Sequence, residues 1–413
     1  MSKPTEVQKI QQASLFKDEL VNLPKSKTKT PTQYNFAEID GKYMAGEVRI
    51  ITEQARYPLP TIPGMLASNK YNLNPEFQRR RRWSNVQRSR LIESFIMNVP
   101  IPPVFLYEVD FSKYEVMDGL QRMTAILEFY NNKFRLEGLS EWNELNGLYY
   151  KELPPKVQSG VDRRYLSSIV LLQETAKNKS EADRLKKLVF ERINSGGVQL
   201  EGQETRNALY DGPLNQLCIK LSRDQNLCGA WGIPAPKSID SSGEVVLEPD
   251  ELKTNEDYRK MVDVELVLRF FAYRQRLLHQ HGALREYLDA FLIQGNAFSQ
   301  NILDNYEVLF RRTIALVYET LGDKSFFLYR KRKAAGWYWL RRPTTTVYDP
   351  IMYVFSALHK HSEQILSEKK QVATSMSKFY KANHEDFEGR YTNRKNAERR
   401  IELLMAHMKS FIK

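Results

Sequence analysis

The 413-residue chain contains few of the side chains from which metal and disulfide sites are usually built. It has two cysteines, Cys218 and Cys228, which exclude a disulfide framework and any all-cysteine metal site. Six histidines are present, but none shows a spacing typical of metal ligands. His279 and His281 lie two positions apart on a predicted helix, so they point about 200° apart and cannot share a metal. The sequence therefore identifies no metal ligands among these residue types.

Long apolar segments are also missing. No run approaches the roughly 20 residues that a membrane-spanning helix requires. The first residues, Met1–Glu6, lack the apolar stretch of a signal peptide. We therefore expect a soluble, cytoplasmic protein, and an apolar fraction of 42% is enough for a sizeable core.

Positive charge predominates, with 62 lysines and arginines against 50 acidic residues and a net charge of +12. Such a balance favours polyanionic partners, nucleic acid first. Two basic stretches stand out, Arg79–Arg90 and Tyr329–Arg342, and the second alternates cations with aromatic rings, as suits phosphate neutralisation and base stacking. The predicted DNA-binding residues are Arg80, Arg81, Arg82, Arg88, Arg330, Arg332, Trp337 and Arg341. The alternative for the second stretch is a solvated basic loop with Trp337 and Trp339 anchored in a core.

Composition divides the chain into four parts. Residues 1–32 are polar and are predicted to form a mobile basic arm. Residues 33–228 mix strand and helix patterns, residues 229–252 form a connector that contains proline, glycine and serine, and residues 253–413 are mostly helical. A capping pattern at Thr254–Asp257 predicts one long helix that continues through Phe271. The predicted fold class is α+β, followed by a helical region.

The most informative motif is Asp118-Gly-Leu-Gln-Arg122, at a predicted strand-to-helix junction. Asp118 is a candidate N-cap, and Gln121 three places later completes a capping box. The free amides and the dipole of the helix favour an anion here, and Arg122 can donate two hydrogen bonds to phosphate oxygens. The alternative is an ordinary turn that binds nothing, because the motif matches neither the P-loop nor the dinucleotide fingerprint.

Catalytic signatures are otherwise scarce. There is no nucleophile elbow and no cysteine–histidine pairing. The stretch His384–Asn396 only loosely resembles a His-Asn-His nuclease and lacks its flanking strands and second histidine. If the chain is a catalyst, its tools are Asp118, carboxylates such as Glu115, and arginines. These suit phosphate-ester chemistry with a divalent cation.

Three segments in a fixed order carry a family resemblance. They are Pro75–Arg79 with Trp83, Asp118–Arg122 with Thr124, and Phe190–Asn194 continuing to Glu204–Ala208. Through them, roughly residues 45–295 resemble the family defined by the N-terminal domain of GmrSD-type modification-dependent restriction enzymes. The resemblance implies a ParB/sulfiredoxin-like nucleotide-binding fold and a role in prokaryotic defence against phage.

The resemblance also implies a set of site residues. The central motif corresponds to the family's Asp-Gly-Gln-Gln-Arg, associated with nucleoside triphosphate binding and hydrolysis, although Leu120 replaces the first glutamine. Asp118 and Arg122 are the candidate catalytic residues, with Mg²⁺ as a candidate cation. The implied nucleotide-binding residues are Gln78, Arg79, Asp118, Gly119, Gln121, Arg122, Thr124, Asn194 and Arg206.

Two functions remain open from the sequence. The first is a nucleotide-dependent, DNA-associated defence component without its own nuclease domain, which is favoured by the intact Asp-Gly and Gln-Arg pairs. The second is a non-catalytic DNA-binding or adaptor subunit that partners a separate effector or nuclease subunit, and Leu120 favours it. Either form is compatible with an oligomer.

Overall fold

The computed structural model describes residues 5–23, 35–44, 50–68, 70–73, 83–172, 179–194, 201–240, 245–279, 282–332, 336–387 and 393–412. The chain forms two compact units. One is Lys29–Leu200, called the sheet unit here, and the other joins Met1–Thr28 to Glu201–Lys413 and is called the helical unit. Helix accounts for 60% and strand for 14%, so the chain is mixed α/β with a helical C-terminal region, as predicted. Among the described residues, no helix is both long and apolar enough to cross a membrane.

The N-terminal segment is held in the helical unit, so the predicted mobile arm is wrong for residues 5–23. Thr5 caps helix α1 (Glu6–Ala13) with a complete capping box. The carboxylate of Glu19 is fully buried and accepts hydrogen bonds from Arg274 Nε and Nη2 at 2.7 and 2.8 Å. It also accepts the hydroxyl proton of Tyr306 at 2.9 Å. With the backbone N–H of Phe16 at 2.7 Å, four donors hold this buried carboxylate and fix the segment in place. Residues 24–34 lie outside the described part of the chain.

A five-stranded sheet with the strand order β1-β5-β3-β4-β2 forms the centre of the sheet unit. Its strands are β1 (Thr52–Pro58), β2 (Tyr71–Asn72), β3 (Val104–Asp110), β4 (Lys113–Asp118) and β5 (Tyr165–Leu171). The helices of this unit are α2 (Phe36–Met44), α3 (Ile62–Ala67), α4 (Asn85–Ile96), α5 (Leu120–Tyr130), α6 (Pro155–Asp162) and α7 (Lys179–Asn194). Strand β3 pairs antiparallel with β4 and parallel with β5, so the end of β4 at Asp118 lies beside the central strand β3.

Sequence patterns explain the elements around the motif. Ser84 caps α4, and Gln87 completes its capping box. The apolar positions Met123 and Ile126 of α5 are fully buried, in one cluster with Val104 of β3. In the β3–β4 ladder Phe105 pairs with Asp118 while Leu106 pairs with Val116, which leaves Met117 as the extra residue of a bulge. The bulge and the packing of α5 together fix the direction in which the chain leaves β4.

The helical unit contains the rest of the described elements. They are α8 (Gly202–Leu209), α9 (Pro213–Leu221), α10 (Gln225–Trp231), α11 (Glu256–Arg259), α12 (Val262–Tyr273), α13 (Leu284–Gly295), α14 (Gln300–Leu321), α15 (Thr345–Ala357), α16 (Ser362–Ser367), α17 (Lys369–Ala382), α18 (His384–Phe387) and α19 (Arg394–Lys409). Two small hairpins accompany them, β6 (Ser238–Ile239) with β7 (Val245–Leu247) and β8 (Phe327–Arg332) with β9 (Gly336–Pro343).

Two boundaries differ from the prediction. The units separate between Leu200 and Glu201 rather than near residue 228. The reason is packing, because Leu214 and Cys218 of α9 are buried in the same core as Phe271. The predicted long helix from Thr254 is also interrupted: Asn255 caps α11, and Met261 adopts a left-handed conformation (φ 57°) that starts α12 separately.

Candidate functional site

The turn between β4 and α5 depends on a glycine. Gly119 has φ 93° and ψ 8°, in the left-handed region that glycine adopts without steric cost. A Cβ on this residue would lie 2.3 Å from Val104 Cγ1 and 2.9 Å from Arg122 Nη2. The Val104 side chain of β3 therefore lies so close to this turn that any side chain at position 119 would collide with it.

The predicted capping box at this turn is wrong. Gly119, not Asp118, is the N-cap, and no described side chain hydrogen-bonds to the first N–H groups of α5. Since Asp118 is the last residue of β4, Gln121 occupies the second helical position and cannot reach back as a capping box requires. Its Oε1 atom instead accepts the backbone N–H of Trp83 at 3.1 Å.

The position of the missing glutamine is part of the core. Leu120 is 7% exposed, and its side chain contributes to the apolar face of α5. Thr124, one turn later, is half-buried on the same helix. Replacement of glutamine by leucine therefore exchanges a polar group at the helix N-terminus for apolar packing.

Arg122 connects the turn to β3. Its Nη2 atom donates to Asp118 Oδ2 at 2.7 Å and to the carbonyl oxygen of Pro103 at 3.2 Å. The Arg122 side chain is 15% exposed and that of Asp118 is 37% exposed. The Nε atom of Arg122 is buried and has no hydrogen-bond partner among the described residues. A buried N–H of a charged group without an acceptor is costly, and this donor is the strongest sign of a ligand at the turn.

The geometry fits a phosphate group with an accompanying cation. The first backbone hydrogen bond of α5 runs from Met123 N–H to Gly119 O at 3.0 Å, so the earlier N–H groups have no intrahelical acceptor. The carboxylate of Asp118 at the same end would repel a bare phosphate, but Mg²⁺ binds both kinds of oxygen. Within the described ranges, no group of three or more His, Cys, Asp or Glu could hold a metal. A cation here would thus rely on Asp118 and on the phosphates themselves.

Glu115, a second candidate carboxylate, is engaged elsewhere. Lys186 of α7 donates to its Oε2 atom at 2.6 Å, and the two side chains are 17% and 10% exposed. The Lys186 ammonium also lies 5.7 Å from the centre of the Tyr107 ring. Glu115 therefore connects α7 to the sheet.

Several predicted site residues cannot be placed. Gln78, Arg79, Arg80, Arg81 and Arg82 lie outside the described residues. Asn194 is the last residue of α7, and its side chain is likewise outside the description.

Arg206 belongs to the helical unit and is buried there. Its Nε atom donates to Asp289 at 2.7 Å, and its Nη1 atom donates to Glu265 at 2.9 Å. Burial alone would raise the pKa of Glu265, but Arg206 and Arg269 outweigh it and hold this pKa below its ordinary value. Arg269 in turn pairs with Asp349. The described contacts of Arg206 therefore belong to a network of ion pairs within the helical unit and give this residue a structural role.

In the first basic stretch, Arg88 has partners within the sheet unit. Arg88 pairs with Glu128 of α5 and contacts Asn85, and its guanidinium carbon lies 4.6 Å from the centre of the Phe134 ring. These contacts connect α4 with α5, which gives Arg88 a structural role.

The β8–β9 hairpin contains the second basic stretch, Tyr329–Arg342, and has features of both interpretations of it: exposed cations that could bind DNA, and tryptophans anchored in the protein. Trp337 stacks on Tyr329 with 5.7 Å between ring centres, and it meets the His384 ring edge-on at 5.9 Å. The tryptophans are thus anchored by the helical unit, as the alternative reading expected. Arg332 and Arg341 are exposed, and Arg330 is half-buried.

Comparison with known families matches residues 62–210 to the GmrSD restriction endonuclease, N-terminal domain. Neither the curated proteins nor the solved structures contain a match. The matched segment is shorter than the predicted range of about 45–295, but it contains β2 to β5, the Gly119 turn and α7. It also contains all three segments on which the resemblance rests. The match over residues 62–210 therefore supports the predicted resemblance to the GmrSD-type restriction enzyme N-terminal domain family.

Proposed function

We propose that the chain is a nucleotide-binding, DNA-associated component of a prokaryotic restriction system directed against phage. The family match of residues 62–210 supports the restriction role. The observation that carries the nucleotide site is the buried, unpartnered Nε atom of Arg122 beside the left-handed Gly119. On this proposal the domain has a ParB/sulfiredoxin-like fold, and its ligand is a nucleoside triphosphate.

Each motif residue has a task in this proposal. Gly119 lets phosphate oxygens approach the first N–H groups of α5, where the helix dipole favours negative charge. Arg122 donates to the phosphate through Nε while Nη2 keeps its bond to Pro103 O. Asp118 would hold Mg²⁺, and the chemistry that this cation would supply is neutralisation of charge on the phosphates. The Asp118–Arg122 pair keeps the arginine oriented toward the turn.

Triphosphate binding and phosphate release by the full chain, with and without DNA, test this function. Arg122→Ala removes a charge-assisted hydrogen bond worth roughly 1.5–3 kcal/mol, so affinity should fall about 10- to 150-fold. Arg163→Ala is the matched control, because Arg163 is exposed at the end of α6 in the same unit. Unchanged triphosphate affinity in a folded Arg122→Ala protein would contradict the assignment.

A second candidate is a non-catalytic DNA-binding or adaptor subunit that partners a separate effector or nuclease chain. One observation favours it: the polar side chains of the motif contact the protein itself. Gln121 accepts from Trp83, and Asp118 is paired with Arg122. This candidate predicts DNA binding that is unaffected by triphosphate and no release of phosphate under any condition. The same titrations therefore separate the two functions.

A further inference from the structure

A cavity of about 370 Å³ lies in the helical unit beside the β8–β9 hairpin. Its walls come from the end of α14, the turn that follows it, strand β9 and helix α17. The residues that give it chemical character are Lys324, Ser325, Trp339, Thr374, Ser377 and Tyr380. The volume falls within the roughly 300–1,000 Å³ typical of small-molecule sites. The cavity is thus large enough for one planar heterocycle with its sugar.

One wall is a fixed aromatic ring. The Trp339 ring meets Tyr380 edge-on, with 6.1 Å between ring centres and an interplanar angle of 89°. Tyr380 is 1% exposed, so it holds the indole firmly. The Nζ atom of Lys324 lies 5.9 Å from the centre of the Trp339 ring. A rigid indole suits stacking of a planar ring such as a nucleobase, and the adjacent cation suits a phosphate attached to it.

The hydroxyl groups of the cavity present acceptors. Ser325 Oγ donates its proton to Gly322 O at 2.5 Å, and Thr374 Oγ1 donates to Lys370 O at 2.8 Å. Ser377 Oγ donates to Thr374 O at 3.3 Å. Because these three aliphatic hydroxyl groups donate their protons within the protein, Ser325, Thr374 and Ser377 offer oxygen lone pairs to a ligand. Such oxygens match N–H donors, including the exocyclic amino groups of nucleobases.

The surroundings of the cavity are basic. Arg341 follows Trp339 by two positions on β9 and is exposed, and Lys378 follows Ser377 on α17 and is exposed. Asp323, next to Lys324 in sequence, accepts the hydroxyl proton of Tyr318 at 2.9 Å and remains one carboxylate against the three cations Lys324, Arg341 and Lys378. Charge complementarity therefore favours an aromatic ring that is attached to phosphates over a neutral aromatic molecule.

We propose that this cavity holds a single unpaired nucleobase with an exocyclic amino group, while Lys324, Arg341 and Lys378 contact the flanking phosphates of the DNA strand. The inference rests on the DNA association in the proposed function and is independent of the nucleotide site at Gly119. It specifies a DNA feature, an unstacked base, that the family match does not assign.

Fluorescence anisotropy with the full chain tests the site. The probes are duplexes identical except for one bulged position that carries adenine, thymine or an abasic sugar. The adenine bulge should bind about 5- to 150-fold more tightly than the abasic one, the range expected for one stacked base. Thymine should fall between them, because it lacks the amino group. Ser377→Ala should reduce the preference for adenine over thymine by about 5-fold.

Two phenylalanine variants provide the matched comparison. Ala373→Phe places a ring in the cavity from α17 and should abolish the preference for adenine over the abasic duplex. Gln371→Phe adds the same side chain at an exposed position of the same helix and should retain the preference.

The outcomes are distinguishable. Equal affinity of the wild-type chain for all three duplexes overturns the cavity site and leaves DNA association standing. A preference that survives in Ala373→Phe also overturns it, because the base would then lie elsewhere. Equal binding of adenine and thymine overturns the recognition of the amino group. Failure to bind any duplex at low salt overturns the DNA association in the proposed function, and this inference with it.

Discussion

Gly119→Ala should destabilise the sheet unit by about 2–5 kcal/mol. The first contribution is backbone strain, because an L-residue at φ 93° costs roughly 1–2 kcal/mol. The second is overpacking against Val104, which is fully buried and lies 2.3 Å from the position of the new methyl group. Adding a methyl group to such a core typically costs about 1–3 kcal/mol. The same change displaces the Arg122 guanidinium, so triphosphate affinity should fall as well.

Native-state hydrogen exchange across urea concentrations is the appropriate assay, because it reports on β3, β4 and α5 separately from the helical unit. Gly160→Ala is the matched control: Gly160 lies inside helix α6, and its Cβ would meet no atom within 4 Å. That change should stabilise the unit by about 0.5–1 kcal/mol. In Gly119→Ala combined with Val104→Ala, the total loss should be smaller than the sum of the single losses, because the collision is removed. A loss below about 1 kcal/mol in Gly119→Ala would refute the reasoning.

Three further predictions concern other parts of the chain. Glu19→Ala leaves Arg274 buried without its carboxylate and should lower the unfolding free energy of the helical unit, measured by urea titration, by about 3–5 kcal/mol. The control is Glu6→Ala at an exposed position, which should change this free energy by less than about 0.5 kcal/mol. Burial lowers the pKa of His407 below its ordinary value of 6.5. As the pH falls, the imidazole of the unfolded chain is therefore protonated at a higher pH than that of the folded chain. The unfolding free energy should therefore decrease as the pH falls below about 6.5, and His407→Gln should show a flatter pH dependence. The isolated chain should not nick plasmid DNA in the presence of Mg²⁺ or Mn²⁺ and any triphosphate. Cleavage that persists when Asp118 and Arg122 are both replaced would reveal a nuclease site elsewhere, and His384–Asn396 would be the first region to examine.

The sequence predicted local elements well because their signals are local. The motif Asp118–Arg122 does lie at a junction of a strand and a helix, as the periodicity on either side of it predicts. Predictions from the sequence were wrong where contacts between distant parts of the chain determine the local structure. The left-handed conformation of Gly119 moved the helix start by one residue, so the capping box at Asp118 could not form.

The partners of single charges were also beyond the sequence. Nothing near Glu19 in the chain indicates that its partner is Arg274, 255 positions away, so a buried segment looked like a polar arm. Arg206 lies in a family motif, yet its ion-pair partners are Asp289 and Glu265, which only the fold brings together. The contributions of Val104, Pro103 O and Trp83 N–H to the candidate site have no sequence signal, because they depend on how closely β3 and α4 approach the turn.

The buried pair of Glu19 and Arg274 has a consequence for synthesis. A ribosome adds roughly 5–20 residues per second, so Glu19 emerges about 13–50 s before the arginine that neutralises it, 255 positions later. Residues 29–200 are completed in that interval and form their own compact unit. The sheet unit can thus fold during translation. During this time Val7 of α1 and Val21 after it remain exposed to solvent or to a chaperone, because the core that buries them is not yet synthesised. Ribosome-bound chains stopped before residue 274 should therefore protect the sheet unit from protease and leave residues 5–23 open to cleavage.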